Sequence, residues 1–121
     1  MSRKLLIVDD SNMMRMAIER YSGGLGFTIV GTAANGKIAV ELFAEHHPDF
    51  VTLDITMPEM DGLAVLDEIL KIKPDAKVLI ISALSEKSIA VSALTKGAKA
   101  FLQKPFNETT IRAALSELIG E

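Results

Sequence analysis

Two uninterrupted apolar tetrads, Leu5-Leu6-Ile7-Val8 and Val78-Leu79-Ile80-Ile81, constrain this chain more than any other feature. A strand with one wet face alternates apolar and polar residues. A strand without alternation needs cover on both faces, which means a parallel sheet between two layers of helices. Further short apolar runs follow, each leading into a stretch with helical spacing, so the chain reads as a repeated strand-helix unit. Strands are expected from Lys4 to Val8, Phe27 to Ala33, Phe50 to Leu53, Lys77 to Ile81 and Lys99 to Leu102. In the second, Phe27, Ile29, Gly31 and Ala33 interleave with Thr28, Val30 and Thr32, the pattern of a sheet edge.

Five helices fill the gaps. The first runs from about Ser11 to Tyr21 and stops at Gly23-Gly24; the second follows Asn35-Gly36 and stops at His47-Pro48. The third follows Asp61-Gly62, carries Leu63, Leu66, Ile69 and Leu70 on one face, and ends before Pro74. Ser85 suits the N-cap of the fourth, which ends near Gly97, and Asn107 that of the fifth, with its stripe of Ile111, Ala114, Leu115 and Leu118. His46-His47 reads as a solvated helix end. Met13, Met14 and Met16 are too close to share one face, so at least one is expected in the core and at least one at the surface.

Five such units with right-handed crossovers give a doubly wound α/β fold, a five-stranded parallel sheet in the flavodoxin-like order 2-1-3-4-5. With 121 residues, 49% of them hydrophobic, the chain suffices for one core, and residues 1–121 are read as a single domain. The absence of Cys excludes disulfides and thiolate metal sites. Four apolar residues after Arg3-Lys4 are too few for a secretory or membrane segment, so a soluble cytoplasmic monomer is expected. A net charge of -3 without a Lys/Arg run argues against nucleic acid as a partner.

In this topology ligands sit beyond the carboxyl ends of the strands, where the strand order reverses. Strand one ends in Asp9 and Asp10, strand three in Asp54 and strand four in Ser82, and Lys104-Pro105 follows strand five. Three clustered carboxylates repel one another unless a cation sits among them. Oxygen ligands without His or Cys suit Mg²⁺. A metal-bound carboxylate facing a hydroxyl and an ammonium is equipped for phosphoryl transfer. Asp54, alone at a central strand end, is the nucleophile, with Asp9 and Asp10 as metal holders and the Lys104 ammonium meeting only the phosphoryl group. Taken singly the parts have plainer readings. Asp9-Asp10 suits a helix N-terminus, Asp54 a turn before Met57-Pro58, Ser82 a strand end and Lys104 a solvated position.

LLIVDDSNMMRM, DITMPEMDG, ISA and AFLQKPF, in this order and spacing, resemble the CheY-like receiver domain of bacterial response regulators over essentially the whole chain. The resemblance implies Asp9 and Asp10 as the acidic Mg²⁺ pair, with the Thr56 backbone carbonyl completing the metal shell. It implies phosphorylation at Asp54, Ser82 as switch hydroxyl, Phe101 as aromatic switch, Lys104 as phosphate-binding Lys and a cis Lys104-Pro105 bond. Ser82 stands for the commoner Thr and keeps the donor. Phe101 stands for a frequent Tyr; its ring lacks the phenol and is biased inward, although an aromatic there also suits plain strand packing. Thr56 and Leu84 lie where receivers tune hydrolysis. The opening of the first helix is most similar to the chemotaxis subgroup.

The function expected is that of a response regulator whose Asp54 phosphorylation, fed by a sensor histidine kinase, switches partner binding through the face of helix 4, strand 5 and helix 5. The partner would be a flagellar motor switch, with a phosphatase as a possible third party. Such a protein catalyses only its own phosphorylation and dephosphorylation. The alternative is a phosphorelay intermediate that passes the group to a His-phosphotransfer protein. A haloacid-dehalogenase-type phosphatase ranks last, because Thr56 stands where that chemistry wants a second Asp. A flavodoxin-like cofactor carrier is disfavoured, because Asp9-Asp10 repels a bare phosphate.

Overall fold

A computed structural model describes residues 3–56, 61–83 and 87–120. Strands β1 (Arg3–Val8), β2 (Phe27–Ala33), β3 (Phe50–Asp54), β4 (Lys77–Ser82) and β5 (Ala100–Gln103) alternate with helices α1 (Asn12–Tyr21), α2 (Gly36–His46), α3 (Gly62–Ile72), α4 (Lys87–Lys96) and α5 (Glu108–Ile119). The strands form one parallel sheet in the order β2-β1-β3-β4-β5, as the two tetrads require.

Alternation within each tetrad divides the core in two. Leu6, Val8, Val78 and Ile80 point to the side covered by α2, α3 and α4, where Phe43, Leu66, Ile69 and Ala93 meet them. Leu5, Ile7, Leu79 and Ile81 point to the opposite side, with Ile18 of α1 and Ile111, Leu115 and Leu118 of α5. The same rule fixes each pleat, since a one-residue slip would exchange the two cores.

The second strand departs from a single alternating face. Leu5 pairs with Ile29 but Leu6 with Gly31, so Val30 is an extra residue in a bulge. Phe27 and Ile29 therefore join the α1/α5 core, whereas Ala33 joins the other. A Cβ on Gly31 would stand 3.1 Å from Leu42 Cδ1 of α2, so the helix packs closely there. Period-two reading has no means of seeing one inserted residue.

Helix starts follow their caps: Ser11, Asn35, Asp61 and Asn107 each accept a hydrogen bond from the first turn behind them. His47 closes α2 in the left-handed region, at φ 46°, its N–H donating to Phe43 O. The expectations placed on Met57, Pro58, Leu84 and Ser85 lie outside the described residues. The methionine expectation fails in one part: Met13 and Met16 are 74% and 61% exposed, and Met14 is only half-buried. Ile18 alone of α1 is fully buried, so the helix meets the core through its second half.

Thr52, in the middle of β3, is fully buried between Ile7 and Leu79, and its hydroxyl finds no hydrogen-bond partner among the described residues. A buried unpaired hydroxyl destabilises, and valine has the same shape without it. Thr52→Val is therefore expected to raise the unfolding free energy by about 1–2 kcal/mol, read as a higher urea midpoint at unchanged slope. A lower midpoint would show that the hydroxyl is bonded.

Candidate functional site

The site is assembled from strand ends and the first residues beyond them. Asp9 extends the β1 pairing, its N–H donating to Ala33 O at 3.0 Å, and then turns into α1. Its Oδ1 accepts the Ser11 N–H at 2.9 Å, a local turn that Asp favours. From the second turn of α1, Arg15 reaches back with Nη1 2.6 Å from Asp9 O and Nη2 3.3 Å from Asn12 Oδ1, pinning the backbone between the two acids.

Asp54 ends β3 and is 2% exposed, while Asp9 is fully buried. The Thr56 N–H and hydroxyl both donate to Asp54 Oδ1, at 2.9 and 2.7 Å. Gly62 at the start of α3 backs this segment: a Cβ there would stand 2.5 Å from Ile55 Cα, so only glycine lets the helix begin so close. Ser82 ends β4, fully buried, and its carbonyl accepts the Lys104 N–H at 2.7 Å. The Lys104-Pro105 bond is cis, as the resemblance implies.

Lys104 closes the cluster. Its Nζ lies 2.9 Å from Asp9 Oδ2 and 3.0 Å from Asp54 Oδ2, a bridge across residues far apart in sequence. This corrects the expectation that the ammonium meets only a phosphoryl group, because buried carboxylates side by side need a counter-charge of their own. Burial pushes the Asp9 carboxyl up from its ordinary 3.8, and the negative charge of Asp54 adds to the rise; the Ser11 N–H and the Lys104 ammonium pull against it without prevailing. Burial also opposes the Lys104 charge, yet the hydrogen bonds and charges of Asp9 and Asp54 hold its ammonium above the ordinary 10.5.

Asp10 is exposed at the mouth. Asp9, Asp10 and Asp54 can each turn one oxygen into a common space, with those atoms within 4.8 Å of one another, so this all-oxygen cluster could hold a hard metal ion. Phe101 stands apart, half-buried against the α2/α3/α4 core and paired with Ile80 in the sheet. Two contributors escaped sequence reasoning. Arg15 carries a readable signal, a cation about one turn into the helix that follows the acids. The Thr56 hydroxyl carries none, since its place two residues past Asp54 does not tell where the side chain turns.

Comparison with known proteins agrees with this geometry. The profile of the response regulator receiver domain matches residues 5–116. The chemotaxis protein CheY of Thermotoga maritima is 42% identical over 118 residues, covering 98% of each chain. CheY of Bacillus subtilis is 43% identical over 120 residues, covering 99% of this chain and 100% of that one. A chain of the CheX-CheY-BeF₃-Mg²⁺ complex of Borrelia burgdorferi superposes with a TM-score of 0.90 at 37% identity, over 96% of this chain and 88% of that one. The match of the family profile over most of the chain, and of these relatives in sequence and in shape over nearly all of it, shows that the chain belongs to the response regulator receiver domain family, in its CheY-like, chemotaxis-type branch.

Proposed function

We propose that this protein is a phosphorylation-switched binding module that accepts one phosphoryl group on Asp54. The observation that carries the reading is a buried carboxylate at a central strand end, with an ammonium 3.0 Å from one of its oxygens. The carboxylate attacks phosphorus and forms an O–P bond while the P–N bond of a phosphohistidine, or the P–O bond of a small acyl phosphate, breaks. The leaving group departs with the bonding pair, the imidazole taking up a proton and the carboxylate of an acyl phosphate staying ionised. Lys104 then exchanges its carboxylate partners for the equatorial oxygens, and the Ser82 hydroxyl donates to one of them.

Asp9, Asp10, Asp54 and the Thr56 carbonyl are the residues to hold magnesium, whose preference for oxygen ligands the donor set meets. Bound there, the ion supplies positive charge against the transferring group. The Borrelia structure supports this assignment, since it contains magnesium together with beryllofluoride, which has the shape and charge of a phosphoryl group. The chain turns over no external substrate and catalyses only its own phosphorylation and dephosphorylation.

The output surface is the face of α4, β5 and α5. Among the described side chains of α4 only Ala93 is fully buried, so the helix is lightly anchored, while Val91 and Leu94 are 61% and 46% exposed. Movement of Ser82 toward the phosphoryl oxygens opens space beside β5 for the Phe101 ring. Filling it is worth on the order of 1–3 kcal/mol. Lys99 is exposed beside the face, whereas Lys96 is tied to Asp67 of α3 at 3.1 Å. An acidic, amphipathic segment fits this surface, and for a chemotaxis-type receiver the flagellar motor switch is the target, with a sensor histidine kinase as donor and a phosphatase ending the signal. No helix among the described residues is long and apolar enough to cross a membrane, and the proposed site of action is the cytoplasm.

Incubated with a small acyl phosphate and Mg²⁺, the protein is expected to gain one phosphoryl group by intact-mass analysis, and Asp54→Asn none. Uptake at the wild-type level in the variant contradicts the assignment. Lys104→Met removes a cation that competes for both carboxylates. It should bind Mg²⁺ more tightly in calorimetry yet slow phosphoryl uptake on the order of a hundredfold. Weaker Mg²⁺ binding in that variant would show that the ammonium supports the metal site instead of competing with it.

A further inference from the structure

The two oxygens of Asp54 are used unequally. Each carboxylate oxygen offers about two lone-pair sites. Oδ1 accepts two hydrogen bonds from one residue, the Thr56 N–H at 2.9 Å and the Thr56 hydroxyl at 2.7 Å, and is filled. Oδ2 accepts from the Lys104 ammonium at 3.0 Å.

A divalent cation that takes all three acids has to draw on one of these oxygens. At Oδ2 it would crowd against the ammonium, with like charges a few ångströms apart in a buried site. Oδ1 lies on the other arm of the carboxylate, next to the Thr56 backbone. Of the two donors there, the N–H is fixed by the chain, whereas the hydroxyl can rotate away about its own bonds. Only the hydroxyl can yield its place without moving the backbone.

Resting on the reading of this cluster as a magnesium site, we propose that Thr56 is a positioning residue whose hydroxyl reserves Asp54 Oδ1 in the resting protein. Cation entry then requires the hydroxyl to let go, and its bond to the carboxylate lowers the affinity for Mg²⁺. The same contact keeps the Asp54 carboxylate from rotating, so Oδ2 stays turned toward Lys104. A threonine at this position thus tunes cation occupancy through Asp54, in addition to whatever its bulk does to water.

The test is Mg²⁺ titration by calorimetry on the metal-stripped wild type and on Thr56→Val, Thr56→Ser and Thr56→Ala, with thermal melting in chelator as a check on folding. Valine keeps the shape and deletes the donor, serine keeps the donor, and alanine deletes it without needing room. Loss of a hydrogen bond to a charged acceptor should tighten Mg²⁺ binding about three- to tenfold in Thr56→Val and Thr56→Ala, and Thr56→Ser should stay within about twofold of wild type. Equal or weaker binding in both donor-less variants overturns the proposal. So does Thr56→Ser binding as tightly as Thr56→Val, because shape and not the hydroxyl would then be responsible. No Mg²⁺ binding to the wild type overturns the magnesium reading itself, an outcome separate from a failure of the threonine alone.

Discussion

The contact on which the site depends is the Lys104 ammonium set between Asp9 and Asp54, at 2.9 and 3.0 Å. Two carboxylates almost without solvent exposure cannot both stay ionised beside each other without a counter-charge. The raised Asp9 carboxyl shows that even this ammonium does not fully offset burial. Ionised Asp9 therefore strains the fold: its contribution to stability falls as pH rises through its native value, because the native state holds that proton longer than the unfolded chain does. Lys104 has a pH dependence of the same sign, set at a much higher pH. Its raised value gives stability that is complete below 10.5 and lost only as pH passes above the native value. A site of this kind stands ready for a stronger cation, and the fold holds it open through sheet geometry instead of local stability.

The sheet does this by bringing distant strand ends together. Asp54 lies beside Ile81 in the β3/β4 register, one residue before Ser82, and Ser82 in turn lies beside Gln103, one residue before Lys104. Phe101 pairs with Ile80 on the same two strands. Ser82 and Phe101 thus sit on adjacent, directly paired strands, and the proposed shift of Ser82 toward Asp54 needs no long relay. The helix over one face of that strand is α4, which has a single fully buried alanine among its described side chains and is therefore lightly anchored.

Much of this was legible in the sequence because it rests on two strong periodicities. The non-alternating tetrads demand two helix layers, and once the strand order follows, Asp9, Asp10, Asp54, Ser82 and Lys104 have to gather at the carboxyl ends of the strands. What escaped depends on single inserted atoms or residues. The bulge at Val30 turns half of β2 to the other core, and no pattern of apolar residues announces it. The partners of Lys104 in the resting state are not legible, because sequence shows which groups converge but not which satisfy each other. The Thr56 hydroxyl and Arg15 act through one hydrogen bond or two, and spacing alone does not fix where such bonds go.

The central claim is that Lys104 is the resting counter-ion of the buried acids, and the titration of Asp9 tests it most directly. Carbon-13 NMR of the Asp9 carboxyl, followed against pH in chelator, should give a midpoint above the ordinary 3.8 in wild type. The same measurement on Lys104→Met should move that midpoint higher still, because the lowering influence of the ammonium is lost while Asp54 remains. A wild-type midpoint at or below 3.8, or one that the loss of Lys104 leaves in place, would contradict the account.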